Sequence, residues 1–319
     1  MTPPRSSTSS SEARRYLGAL FGTAATLAVL LAAVTIPAYR LGLVDVENSA
    51  LVDLQRRKVE AAPRVDILFL GDSSLGNAID AGLVSELSGR SALNLALTGA
   101  YGFGGSYNLL RKVLERQRPQ LVVVFQTLDM LSRPQSPAGL YFTSDGVDLS
   151  EVTPLDVMKI YLNFGVAKRA YRSLQATGWT LSRSPQLTND YVRAASGVGR
   201  ASLEERIQRP LDLDRIHPEA MRQLGRIASL CREHALRCVY AFGPIFEGYC
   251  QSERDYVDRA ARAIRETGLS VVAGTPVCIP RAELGDTIDH VAPEKEDAYT
   301  RRYYELLDAA ILDGALTRR

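Results

Sequence analysis

A three-layer α/β/α sandwich around a central parallel sheet is the fold class this sequence predicts, on three observations. Short apolar runs alternate with amphipathic segments along most of the chain, the pattern of strand and helix units in a parallel sheet. The run "LVVVF" at residues 121–125 is apolar at every position, as strands covered by helices on both faces are. The apolar run "ILFL" stops on Gly71-Asp72-Ser73-Ser74, polar turn formers at the kind of strand end where open α/β sheets bind their ligands.

The elements follow in order. Residues 65–70 read as a strand, a helix lies near 79–87, a strand at 92–95, a helix near 107–116 and a strand at 121–125. Parallel strands joined this way need right-handed crossovers. From 132 to 211 scattered Pro, Ser and Gly break the rhythm around two helical patches, near 155–174 and 202–208. This stretch reads as an insertion lying over or beside the sheet and shaping a cleft. The rhythm then resumes with a helix at 218–234, a strand at 238–242, a helix at 254–267, a strand at 269–272 and a last helix near 298–312.

The N-terminus differs in composition. "MTPPRSSTSSSE" holds too little apolar surface to offset ordering entropy, so residues 1–15 are expected to form a disordered tail. Residues 16–39 carry no charge, and roughly 20 apolar residues suffice for one membrane-crossing helix. Arg5, Arg14 and Arg15 on the leading side place the N-terminus in the cytoplasm. The competing reading is a cleaved secretory signal, whose apolar core is about 7 to 15 residues long. Here the run is longer, and its only small-x-small site, around Ala33-Val34-Thr35, sits inside it. Both readings export the body: a connector at 40–64 and a domain at 65–319. No second segment of spanning length follows.

With 46% hydrophobic and 23% charged residues and a formal charge of +2 over 319 residues, the chain has globular composition, and its charge argues against a nucleic-acid partner. Its four cysteines, Cys231, Cys238, Cys250 and Cys278, show no CxxC pair and no paired-His spacing, so no zinc site is expected. Cys250 with Cys278 is the expected disulfide, since each trails a predicted strand of one sheet; buried free thiols are the alternative. "GAYGFGG" at 99–105 lacks the Lys-Ser/Thr of a P-loop and the downstream acid of a dinucleotide site. No metal and no cofactor are expected.

A serine at the tip of a strand, just before a helix, exposes its hydroxyl among backbone N–H groups. To act as a nucleophile it needs a base and donors for the oxyanion. Of the three histidines, His234 ends a predicted helix and His217 precedes Pro218 at a helix start, which suits capping or surface roles. His290, in "GDTIDHVAP", follows the last predicted strand and precedes the final helix, on the side where strand ends gather.

These residues carry a resemblance. "GDSS" after an apolar strand, "NLALTG" at 94–99 and the Asp/His pair before the last helix resemble the SGNH/GDSL hydrolase superfamily. "DTIDHVAPEKEDAYTRR" at 286–302 is similar to the C-terminal element of membrane-anchored SGNH proteins of bacterial polysaccharide systems, which act as O-acyltransferases or esterases. The likeness spans about 65–312. It implies that Ser73 is the nucleophile and its own N–H one oxyanion donor, Gly99 a second donor, and His290 the general base, oriented by an acid. Asp72 ties down the loop, and Ser74 is placed to cap the following helix.

The chain departs from the family twice. Where the family has Gly-x-Asn-Asp after the third strand, with Asn as third oxyanion donor, this chain has Gln126-Thr127-Leu128-Asp129. Leu128 cannot donate, so either Gln126 or Thr127 substitutes or the oxyanion hole is weaker. The family's usual acid position, three residues before the histidine, holds Thr287; Asp286 stands four before and Asp289 one before. Asp286 is the expected acid and Asp289 the alternative, because a chain neighbour rarely folds its carboxylate onto the adjacent ring's inner nitrogen.

The resemblance implies an exported, single-pass serine acyl-transfer enzyme of the bacterial inner membrane, its catalytic domain periplasmic or extracellular. It would move acyl groups, acetyl foremost, on or off a polysaccharide through an acyl-serine, with transferase ahead of esterase. A transferase outside the cell lacks acetyl-CoA and needs a membrane-bound acyl-donor protein. The alternatives are a catalytically weak glycan-binding or scaffold protein and a general carboxylic ester hydrolase. Tyr141, Phe142, Tyr161, Phe164, Tyr171 and Trp179 either line a sugar groove or pack the insertion's own core.

Overall fold

The computed structural model describes residues 10–40, 49–144, 152–153, 155, 200–208 and 211–316. They fall into two compact units. Helix α1 (Ser10–Arg40) belongs to one, and the other described residues to the second.

In the second unit the central sheet is parallel, with strand order β2 (Ala92–Ala96), β1 (Ile67–Gly71), β3 (Leu121–Gln126), β4 (Arg237–Phe242) and β6 (Ser270–Val272). β1 lies between β2 and β3, with Gly71 opposite Ala96 on one side and Phe125 on the other. A smaller parallel pair joins β5 (Ile245–Phe246) to β7 (Cys278–Ile279).

Every residue of β1 and β3 is buried, because helices cover both faces. Strand side chains alternate between faces, which splits the core. Leu68, Leu70, Val122 and Val124 pack with residues of α2 (Ser49–Ala61), α5 (Gly102–Leu114), α8 (Pro218–Glu233) and α10 (Arg254–Glu266). Ile67, Phe69, Val123 and Phe125 pack with α3 (Ser73–Ala78), α4 (Ala81–Ser88) and α11 (Glu296–Leu316). Each fully buried Leu, Ile, Val or Phe stabilises by about 1.5–3 kcal/mol relative to exposure. The continuous apolar run at 121–125 is thus needed for both layers at once.

Two boundaries differ from expectation for identifiable reasons. The helix expected near 79–87 begins at Ala81 as α4, and a separate short helix, α3, precedes it, because Asp72 caps α3 and Asp80 caps α4, accepting from the Gly82 N–H at 2.7 Å. α5 begins at Gly102 rather than near 107, so part of the Gly-rich run is helical. There α6 (Pro137–Thr143), capped by Ser136 and not foreseen, packs closely: a Cβ on Gly104 would lie 2.4 Å from Leu140 Cδ2.

Of the expected insertion, 145–151, 154, 156–199 and 209–210 lie outside the described residues, and with them nearly all of the patch at 155–174 and Tyr161, Phe164, Tyr171 and Trp179. Tyr141 and Phe142 sit in α6, edge to face at 5.4 Å. The later patch is α7 (Arg200–Gln208), and the Tyr249 hydroxyl on α9 (Glu247–Ser252) donates to its Arg206 carbonyl at 3.0 Å.

Cys250 on α9 and Cys278 on β7 form the expected disulfide. The free-thiol alternative fails for the other two as well, since Cys231 on α8 bonds to Cys238 on β4.

α1 is a 31-residue helix that covers the expected span at 16–39 and also takes in residues 10–15, which were expected to belong to a disordered tail. Among the described residues, however, no helix is long and apolar enough to cross a membrane, so the span at 16–39 is not established by the structure. Within it, the side chains at 28, 31–32 and 34–39 lie outside the described residues.

Candidate active site

The end of β1 is shaped by Gly71. A Cβ there would sit 1.9 Å from the Phe125 carbonyl oxygen, so only glycine lets β1 leave the sheet against β3 at this point. Asp72 then fixes the turn. Its Oδ1 accepts from the Ser74 N–H at 3.0 Å and the Ser74 hydroxyl at 2.5 Å. Its Oδ2 accepts from the Thr127 N–H at 2.8 Å and faces Thr127 Oγ1 at 2.8 Å. The carboxylate therefore ties the loop, and Asp72 rather than Ser74 is the helix cap. Ser73 becomes the first residue of α3, whose N–H no intrahelical carbonyl can reach, and its side chain is half-buried.

His290 arrives from the far end of the chain. Its segment is pinned at several points: Gly285 N–H donates to the His290 carbonyl at 2.7 Å, Phe246 N–H to the Ile288 carbonyl at 2.7 Å, and Ala292 N–H to the Glu283 carbonyl at 2.8 Å. α11 locks against α3 and α4 through Thr300, whose hydroxyl donates to the Ala78 carbonyl at 3.1 Å while accepting from the Asp80 N–H at 2.9 Å.

The outcome is a three-membered chain of contacts. His290 Nε2 stands 2.8 Å from Ser73 Oγ, and Nδ1 stands 2.6 Å from Asp286 Oδ1. An ionised carboxylate can only accept, so Nδ1 carries the proton and Nε2 accepts from the Ser73 hydroxyl. Asp289 takes a different partner, the Thr287 hydroxyl. Of the two acids considered, Asp286 is the one on the ring nitrogen.

Around this chain of contacts, burial and charge act together. Burial works against protonated His290, but the Asp289 charge and the bonded Asp286 carboxylate outweigh it and hold the imidazole above its ordinary range. Burial, assisted by the Asp289 charge, pushes Asp72 up against its own hydrogen bonds. Burial also raises Asp129, although the Arg133 guanidinium beside it pulls the other way. Thr127 Oγ1 lies between Asp72 Oδ2 at 2.8 Å and Asp129 Oδ1 at 2.9 Å. With one proton to give, it serves both acids only when one of them is protonated, in keeping with the upward direction of both.

Gln126 needs correction as an oxyanion donor. It falls on the same strand face as Val122 and Val124, is fully buried, and its Nε2 donates to the Ser106 hydroxyl of α5 at 3.1 Å. Period-two alternation sends it into the core on the α5 side. Thr127 is committed to the two aspartates, and Leu128 is fully buried. Gly99 lies in the loop after β2, which leaves the sheet beside the Ser73 turn, with Leu97 N–H donating to the Gly71 carbonyl at 2.9 Å. A Cβ on Gly99 would meet Met130 Sδ at 3.2 Å and Arg133 Nη1 at 3.4 Å.

No protein-family model matches the chain, and no curated protein matches it by sequence. What the site can do is therefore argued from its geometry: a hydroxyl within reach of a base, a base oriented by an acid, and a helix N-terminus and a glycine loop beside them. Sequence reasoning passed over Asp129 and Arg133, which pair through Oδ2 and Nη2. Their i, i+4 spacing was the available signal.

Proposed function

We propose that this chain is an exported serine acyl-transfer enzyme of the SGNH type, acting on acyl groups of a cell-surface or secreted polysaccharide. The observation that carries the reading is the single imidazole touching both Ser73 and Asp286. Ser73 Oγ attacks the acyl carbonyl carbon as its proton passes to His290 Nε2. The tetrahedral intermediate collapses, the ester C–O bond breaks, and the leaving alcohol takes the proton from His290. A sugar hydroxyl or water then attacks the acyl-serine, giving its proton to Nε2, and Ser73 leaves with a proton returned. Asp286 stabilises the imidazolium at both stages.

Export is supported by two disulfides, which persist in oxidising compartments. Anchoring is supported by α1, whose Tyr16, Leu17, Leu20, Phe21, Leu27, Val29 and Leu30 are exposed; a helix with apolar side chains all round suits lipid. An anchor of the inner membrane with the domain outside, next to a membrane protein that hands over acyl groups, favours transfer to sugar over hydrolysis.

A second reading, a weakly active glycan-binding or scaffold protein, draws on one observation: neither Gln126 nor Leu128 offers a donor where the family has asparagine. One experiment separates the readings. The full chain is incubated with p-nitrophenyl acetate and an oligosaccharide acceptor, and with a fluorophosphonate probe followed by peptide mass spectrometry. Labelling of Ser73 and acetylated sugar support the transferase, labelling with acetate release alone an esterase. An unlabelled Ser73, with S73A keeping the biological role, supports the binding protein and overturns the enzyme.

A further inference from the structure

Four carboxylates crowd the proposed nucleophile. Asp286 holds His290, Asp72 holds the loop, and Asp129 and Asp289 lie close enough to act on their neighbours' charges. Even with a proton held between the raised Asp72 and Asp129, an oxyanion formed at Ser73 would add negative charge to an acidic site. Like charges in a partly buried site repel more strongly than in water, so the backbone donors of Ser73 and Gly99 need the help of a cation or a further strong donor. Gln126, Thr127 and Leu128 supply none, for the reasons given above.

Arg133 has what they lack. Its Nη2 pairs with Asp129 Oδ2, Asp129 Oδ1 meets Thr127 Oγ1, Thr127 meets Asp72 Oδ2, and Asp72 Oδ1 holds Ser74. A continuous run of hydrogen bonds thus fixes the guanidinium relative to the loop that carries Ser73. Its Nη1 has no acceptor among the described residues and lies 3.4 Å from where a Cβ on Gly99 would be. About half of the side chain, 52%, is open to solvent, so a substrate can reach it.

We propose that Arg133 is the charged oxyanion donor of this site, its guanidinium standing beside the Gly99 backbone in place of the asparagine amide that the Gln126–Asp129 segment lacks. The inference rests on the acyl-transfer reading. As the Ser73 Oγ–carbon bond forms, the carbonyl π pair moves onto oxygen and the hydroxyl proton moves to His290 Nε2. Arg133 donates a hydrogen bond from Nη1 and keeps its own proton throughout. Asp129 is then a positioning residue: it holds Nη2 so that Nη1 faces the site. The same arrangement explains why the segment ends in Asp although its Asn position is Leu128.

The test uses the full chain, p-nitrophenyl acetate and the fluorophosphonate probe, with R133Q, R133K and the double variant D129N/R133Q. R133Q is expected to lower kcat about a hundredfold, with KM within about twofold, and to slow labelling of Ser73 in proportion. R133K, which keeps the charge but loses the fork, recovers part of the loss. D129N/R133Q leaves no carboxylate unpaired, so an equal loss there assigns the effect to the missing donor and not to disturbed packing; melting curves check that both variants fold. The inference is overturned by an unchanged kcat in R133Q, by a loss confined to KM, or by restored kcat in the double variant. Wild-type labelling at Ser73 with an unaffected R133Q removes this inference alone, whereas wild type unlabelled at Ser73 removes the acyl-transfer reading and this inference with it.

Discussion

His290 Nε2 lies 2.8 Å from Ser73 Oγ across 217 positions of chain. Neither residue reaches the other through local structure: Ser73 is delivered by the carboxyl end of β1, His290 by the segment between β7 and α11. The contact exists because α11 packs on the same sheet face as α3, with the Tyr303 ring 4.8 Å from that of Phe125. Two catalytic-looking residues thus meet as a product of core packing, and the site inherits the rigidity of that core.

The division of labour between the two acids gives the first prediction. Asp286 fixes the Nδ1 proton, so D286N, which replaces an acceptor with a group able to donate, favours the wrong tautomer and is expected to lower kcat about a thousandfold or more. Asp289 touches Thr287 and not the ring, so D289N is expected to cost less than about tenfold. Steady-state hydrolysis of p-nitrophenyl acetate by the two variants measures this, and equal losses would contradict the assignment.

The pH dependence follows from the same charges. General-base action needs neutral His290. Burial lowers its proton affinity, but Asp289, Asp286 and Asp72 raise it above the ordinary value of 6.5. The acid limb of the kcat/KM profile should therefore fall above pH 6.5, and in D289N it should move to lower pH. Stability carries the same sign. A histidine raised on folding contributes stability fully present below its unfolded value and lost as pH rises through the folded one. Asp72 and Asp129, also raised, add to that fall at lower pH. Melting temperature followed against pH should decline as each group ionises or deprotonates, and the His290 part should vanish in H290Q.

Much of this was legible in the sequence, and the misses have physical causes. The apolar run at 121–125 and the polar stop after residue 70 report burial and strand ends directly, so the sheet, the Ser73 turn and the placement of the histidine segment could be read. The choice of Asp286 over Asp289 followed from local stereochemistry. Gln126 could not be placed that way, because whether the last strand residue faces the core or the site depends on a single-residue phase set by β3 pairing with β1 and β4. The helical start at Gly102 was hidden as well: Gly104 serves close contact with Leu140 of α6, and Gly102 and Gly105 lie tight against Gln135 and Tyr101, tertiary demands that override their low helix propensity.

That phase gives the third prediction. With its amide on Ser106 and its Oε1 buried without a partner among the described residues, Gln126 serves packing. Q126M keeps the volume and removes one orphaned acceptor while leaving the Ser106 hydroxyl to re-pair, so its effect on stability should stay within about 1.5 kcal/mol. Its kcat should stay within about threefold of wild type. A hundredfold loss at unchanged stability would return Gln126 to the oxyanion hole.

The two disulfides divide in what they hold. Cys231–Cys238 spans 7 positions and joins α8 to the start of β4, remote in sequence from the histidine segment. Cys250–Cys278 spans 28 positions and ties α9 to β7, and Phe246, at the foot of α9, bonds to Ile288, two residues before His290. By loop-closure entropy the longer crosslink stabilises by about 3.6 kcal/mol and the shorter by about 2.4. The larger difference should be in activity. C250S/C278S releases one support of the histidine segment, so its kcat should fall and its melting temperature drop further than in C231S/C238S, whose kcat should stay close to wild type. Measuring both variants for melting and ester turnover below their transitions decides the matter. Equal losses of activity would mean that the strand pairing and α11 alone position His290.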